Sequence, residues 1–240
     1  MAESYQLYLN SKYADTQNNG IYKFQFKTLD IEDGFYIYLS VQNVSIPYSF
    51  YNVNESNNRI EYILNSQLYT INIPISNYNV NQFIEYLSSV MVNFTITYSS
   101  RLNKVTFLHN AFNFMLLSSS TCYKILGFTE DINYPSTNYS LTSVNCVNMM
   151  TVNSIFVLSN LMTYNISSSL PNSQNVLCQV LVNNAPNSII QYSNTNHFRT
   201  NLFVNRLTNI NLKLVDEYNN TINLNGLNFI VTLQLDIEPI

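Results

Sequence analysis

Two histidines, three cysteines and three adjacent acidic pairs are the residues of this chain whose types could do chemistry. His109 and His197 could act as general bases or metal ligands, and Cys122, Cys146 and Cys178 as nucleophiles or thiolate ligands. Neither histidine has an acidic or cysteine neighbour at ligand spacing, and the cysteines show no metal or disulfide spacing. Glu32–Asp33, Glu130–Asp131 and Asp216–Glu217 could in principle serve glycoside hydrolysis or hold Ca²⁺. Each pair adjoins a predicted turn, where solvated carboxylates are commonplace. With four glycines in the whole chain, no glycine-rich phosphate loop can form. The chain is therefore expected to be no enzyme and to hold no catalytic metal or cofactor.

Bulk composition points the same way. Hydrophobic residues make up 46% of the 240 residues, which is ample for a core. Charged residues make up 10%, where about 25% is usual. Polar surface must come from amides and hydroxyls, and asparagine alone accounts for 40 residues. The asparagines are spread among periodic apolar runs and form no tracts. That favours an ordinary fold from an AT-rich genome, such as that of a virus, a mobile element or a protist, over a prion-like segment. The net charge is −4, and the ten Lys and Arg are scattered along the chain. No basic stripe exists, so nucleic-acid binding through the folded surface is not expected. A weakly charged surface suits a subunit that packs against others, through contacts that respond little to salt. An odd number of cysteines fits reduced thiols in a cytosol-assembled protein. The six N-x-S/T sequons, at Asn43, Asn54, Asn93, Asn138, Asn165 and Asn219, are no more than chance gives for this composition. The start, "MAESYQLYLN", is not a signal peptide. No apolar run approaches the roughly 18 residues of a membrane span.

The elements that must position any site are mostly strands. Residues 1–20 look like an arm, with Tyr5, Leu7 and Leu9 alternating before a polar stretch. The arm is expected to order only against neighbouring molecules, so its deletion should leave the fold intact. "YKFQFKT" alternates Tyr22, Phe24 and Phe26 with Lys23, Gln25 and Lys27, the pattern of a half-buried strand. "FYIYLSVQNVSI" sets Phe35, Ile37, Leu39 and Val41 on one face and Tyr36 and Tyr38 on the other, so both faces should be covered. It runs into the turn "PYSFYNVN", where Pro47, Tyr48, Phe50 and Tyr51 form a stiff amphipathic loop. These rings either present an interface or cap the domain's own core.

Residues 58–128 have another texture and read as an inserted β-β-α-β-β-β unit. "RIEYIL" and "QLYTINIP" flank "NS" as a hairpin. Val80, Phe83, Ile84, Leu87 and Met91 form one helical stripe, with Asn79 as N-cap and Gln82 completing a capping box. The stripe should face Phe94, Ile96, Phe107 and Phe114. "YKILGF" is a helical turn closed by Gly127. After a polar connector, "TEDINYPSTNYS", strand texture returns to the end. "EYNNTINLNG" between the last two strands has hairpin chemistry. The expected fold is all-β with one small α+β insertion: a single jelly-roll sandwich of about eight strands, built from residues 21–57 and 129–240.

The order of these motifs resembles the penton (vertex) and minor capsid proteins of double-jelly-roll DNA viruses, including virophages and polinton-like elements. The resemblance lies in "LYLNS" before a strand, in "YIYLSVQNVSIP" followed by "YSFYNVN", in "INIPISNYNVNQFIEYLSSV" with two strands and "YKILGF", and in the ending "LKLVDEYNNTINLNGLNFIVTLQLDI". It implies a virion protein without catalytic residues, a homopentamer that plugs five-fold vertices against trimers of the major capsid protein. Tyr5, Leu7, Leu9, Tyr48, Phe50 and Tyr51 are the candidate interface residues. The alternative from another class is a β-sandwich binding module, such as a fibre, lectin or adhesin that recognises a glycan or protein.

Overall fold

A computed structural model describes residues 3–239 apart from 33, 162, 164, 166–169, 171–174 and 203. In chain order the elements are β1 (Glu3–Asn10), β2 (Thr16–Asn18), β3 (Ile21–Asp30), β4 (Phe35–Pro47), β5 (Arg59–Leu64), β6 (Gln67–Asn72), α1 (Val80–Val90), β7 (Phe94–Ser99), β8 (Lys104–His109) and β9 (Phe114–Leu116). They continue with α2 (Tyr123–Leu126), β10 (Tyr134–Pro135), β11 (Ser140–Thr142), β12 (Ser154–Ser159), β13 (Val176–Leu181), β14 (Ile189–Ser193), β15 (Thr200–Leu202), β16 (Arg206–Asp216) and β17 (Ile230–Pro239). The chain divides into two units, Met1–Phe50 with Val152–Ile240, and Tyr51–Thr151.

The first unit is a jelly roll. One sheet has the order β1-β17-β4-β14, with β15 also on β4, and the other the order β13-β12-β16-β3-β2. β1 pairs with β17, β3 with β16, β4 with β14 and β15, and β12 with β13, all antiparallel. First thus meets last and second meets second-last, the signature of a long hairpin rolled into two sheets. Alternation brings Ile37, Leu39, Val231, Leu233 and Leu235 from one sheet against Ile155, Val157, Ile210, Leu212 and Leu214 from the other, in one core. Val44 and Ile46 stay inside because the register shifts by one residue between the Thr232 and Leu233 pairings, placing an extra residue, Gln42, in β4.

Two features of this unit correct the sequence reading. Residues 3–10 are no free arm: they form β1, paired over eight residues with β17 of the same chain. Counting β14 and β15 together and setting aside the three-residue edge strand β2, β1 completes the eight strands. β16 and β17, in turn, make no hairpin, because they lie in different sheets and the segment between them passes from one sheet to the other. Turn chemistry marks a reversal of the chain, not the sheet that the next strand joins.

The second unit has two small sheets, β10-β9-β5-β6 and β11-β8-β7, with α1. Asn79 caps α1 by accepting from Gln82 N–H, and the Gln82 side chain accepts from Asn79 N–H, so the capping box forms. Phe83, Ile84, Leu87 and Met91 share a core with Phe94, Ile96, Phe107 and Phe114. The β5–β6 hairpin turns on Asn65 and Ser66, both with positive φ (52° and 64°), which matches the right-handed twist of the strands. The unit is wider than 58–128. Tyr134–Pro135 pairs with β9 and Ser140–Thr142 with β8, so the stretch taken for a connector supplies an edge strand to each sheet.

The asparagine excess has a structural use. Among the described residues, eight of the twelve non-glycine positions with positive φ are asparagines: 19, 65, 93, 103, 138, 187, 219 and 225. Its short amide tolerates the left-handed region better than other side chains. In a chain with four glycines, asparagine therefore makes the turns.

Candidate functional site

Among the described residues, those capable of chemistry are either engaged in packing and turns or exposed on loops. Among the described residues no three His, Cys, Asp or Glu side chains come together as a metal site. Cys122 and Cys178 are buried, and burial pushes both thiols up to about 12, far from the thiolate that reacts. Cys146 is exposed. Asp216 ties its own turn, accepting from the N–H groups of Tyr218 and Asn220 and from the Asn220 amide. Glu217 accepts from the N–H and side-chain amide of Asn153. Glu130 and Asp131 are exposed on a turn, with Asp131 at φ 60°. Glu32 is exposed, and Asp33 lies outside the described residues. His197 sits exposed in a loop at φ 52°.

His109 differs. It is 3% exposed, and its ring lies edge-on to Phe94 at 4.8 Å. Nδ1 accepts from the N–H groups of Ala111 (3.1 Å) and Phe112 (3.0 Å), which holds the loop between β8 and β9. The proton must then be on Nε2, a buried atom without a partner. Burial lowers the pKa below the ordinary 6.5. The unfolded chain therefore binds a proton at a higher pH than the folded one. Stability from this site is complete above about pH 6.5 and is lost as pH falls below it. The expected result is a melting temperature that falls between pH 7 and 5 in the wild type. In His109→Asn, which keeps an acceptor near Nδ1 but does not titrate, the fall should be smaller. Parallel pH profiles for the two proteins would refute the assignment.

The aromatic turn is placed by backbone pairing. Tyr48 N–H donates to Ser188 O (2.8 Å), and Asn187 N–H donates to Tyr48 O (2.9 Å). The rings of Tyr48 and Phe50 stack at 4.4 Å, and both residues belong to the sandwich core, 8% and 5% exposed. These two rings cap the domain's own core. Tyr51 begins the second unit and is 38% exposed. On β1, Tyr5, Leu7 and Leu9 stand opposite Leu235, Leu233 and Val231, the inward residues of β17. Leu9 is buried, Leu7 half-buried and Tyr5 exposed at the margin.

The open surface of the first unit is instead the outer face of its β1-β17-β4-β14 sheet. Register puts Tyr8 beside Thr232 and Asn43, Gln6 beside Gln234 and Ser40, and Ser4 beside Asp236 and Tyr38. Tyr8 is 72% and Tyr36 40% exposed, so the tyrosine face of β4 is not covered as expected. Amides and hydroxyls link across strands: Gln42 donates to Gln234 (3.0 Å) and Ser4 to Asp236 (2.7 Å). Such a face offers flat aromatic area and hydrogen-bonding groups at little charge, the composition of protein contacts. Alternation in β17 showed which residues share this face, but β1 as its neighbour was not visible.

No protein-family model matches the sequence, and no curated protein does. The fold is similar to that in the crystal structure of the mavirus penton protein, over 99% of this chain and 100% of that one, with a TM-score of 0.51. The chain has the fold of a viral penton protein. At 12% identity the likeness lies in the course of the backbone and not in shared side chains. It extends through the jelly roll and the inserted unit, since almost nothing of either chain is left over.

Proposed function

We propose that this chain is a structural capsid protein, a penton subunit that forms homopentamers at the five-fold vertices of an icosahedral capsid. It packs against trimers of the major capsid protein, resides in the virion and is assembled in the host-cell cytoplasm. The observation that carries this reading is the end-to-end likeness to the mavirus penton protein. The open tyrosine and amide face supports it, as does the engagement of His109, Cys122, Cys178, Asp216 and Glu217 in packing and turns. Under this reading the protein has no catalytic step. Native mass spectrometry of the purified chain, alone and with the major capsid protein of the same virus, tests it. The expected species is five times 27.7 kDa, or a monomer that appears at vertices when particles are imaged. A stable dimer or trimer would overturn the reading.

A further inference from the structure

His109 sits where one proton would undo several contacts at once. Its ring lies 4.8 Å from Phe94 of β7 and 5.8 Å from Phe112 of the loop that follows β8. Because Nδ1 accepts from Ala111 and Phe112 N–H, the imidazole anchors residues 110–113. The same loop holds the segment that edges both small sheets of the second unit. Asn113 Oδ1 accepts from Tyr139 N–H (2.8 Å) and from the Ser136 hydroxyl (3.3 Å). Ser136 N–H donates to Phe114 O (2.7 Å), and His109 N–H to Tyr139 O (2.9 Å). The edge itself is short, with two paired residues in β10 and three in β11. No counter-ion is at hand for the ring. The segments against it, 93–94, 110–114 and 136–140, contain no Asp, Glu, Lys or Arg, and their one titratable side chain is the Tyr139 phenol.

We propose that His109 is an acid-operated latch: its protonation frees loop 110–113, and with it the edge formed by residues 134–142, and uncovers the rings of Phe94 and Phe114. With Nε2 already carrying a proton, the acid proton goes to Nδ1. It would there face two N–H donors in place of the two bonds that Nδ1 now accepts. The imidazolium would also be buried without a partner for Nε2, and burying an unpaired charge is costly. The ring therefore leaves for water, and the loop loses its anchor. Phe94 and Phe114, 8% and 5% exposed with the loop in place, lie under it. The pairing of β5 with β6, six residues long, does not run through the loop and persists. This device does not depend on the vertex reading.

The test is amide hydrogen exchange of the full-length chain at pH 7 and pH 5, corrected for the intrinsic rate at each pH. Protection of residues 110–113 and 134–142 is expected to fall about threefold or more as the pH drops through the ordinary imidazole range. The β5–β6 pairing, and the β4–β17 pairing of the first unit, are expected to keep theirs. In His109→Asn the fall at the loop and edge is expected to vanish. The wild-type profile decides by itself if that variant does not fold. Unchanged protection of Ala111 and Phe112 at pH 5 would overturn the latch. Equal loss throughout the second unit would overturn it too, since acid would then weaken the whole unit and not one loop. A folded His109→Asn protein that loses protection as the wild type does would assign the response to another group, with the same result.

Discussion

Deleting residues 1–18 is expected to unfold the jelly roll. The deletion removes β1 and β2 together and breaks all eight pairings to β17. Leu9 is lost from the core, and the inward side chains of Val231, Leu233 and Leu235, all but fully buried, lose their neighbours on one side. Each fully buried aliphatic side chain is worth about 1.5–3 kcal/mol. A domain is stable by only about 5–15 kcal/mol in total, so this loss takes most of the margin. It also strips β17 to a bare edge, with alternate hydrophobic residues exposed along ten residues, a template for aggregation. The measurement is expression and circular-dichroism melting of the truncated chain beside the full one. A soluble truncation melting within about 2 °C of full length, less than 1 kcal/mol for a chain of this size, would mean that β1 is dispensable. The corrected view also changes how assembly would be tested. Failure of this truncation to enter particles would report a lost fold, whereas point changes at Tyr8 or Gln6, on the outer side of β1, address the surface alone.

Leu87→Ala should strongly destabilise the second unit. Leu87 is fully buried on α1, in the same cluster as Phe83, Phe94, Ile96, Phe107 and Phe114. Removing three carbons there leaves a cavity lined by rings and strands that cannot collapse into it, at a cost of about 2–5 kcal/mol. Leu87→Met keeps the volume and should cost less than about 1.5 kcal/mol. Denaturant midpoints of the three proteins check this. A Leu87→Ala loss under about 1 kcal/mol would place the helix stripe away from the core.

Local order in the chain was largely legible in its residues. The stripe of α1 and its capping box involve residues three and four apart, and a helix brings those together whatever surrounds it. The "NS" hairpin and the Gly127 cap were likewise visible, because each is set by backbone conformations within a few residues. Alternation in β3, β4 and β17 sorted side chains into two faces. It could not say which face is covered, so Tyr36 was read as buried.

Everything decided by pairing between distant residues needed the tertiary structure. Glu3 meets Ile237, and Lys23 lies beside Asn211. A period of two carries no record of which strand will be the neighbour. For that reason β1 read as an arm and the β16–β17 link as a hairpin. The turn at Tyr48 and Phe50 left two fates open, and only the closing of both sheets over one core turned those rings inward. Sequence by itself determined the strands and the helix, because these depend on neighbours along the chain. The tertiary structure decided sheet membership and the covered faces, because these depend on contacts between residues as far apart as Glu3 and Ile237, whose cost in chain entropy only the completed core offsets.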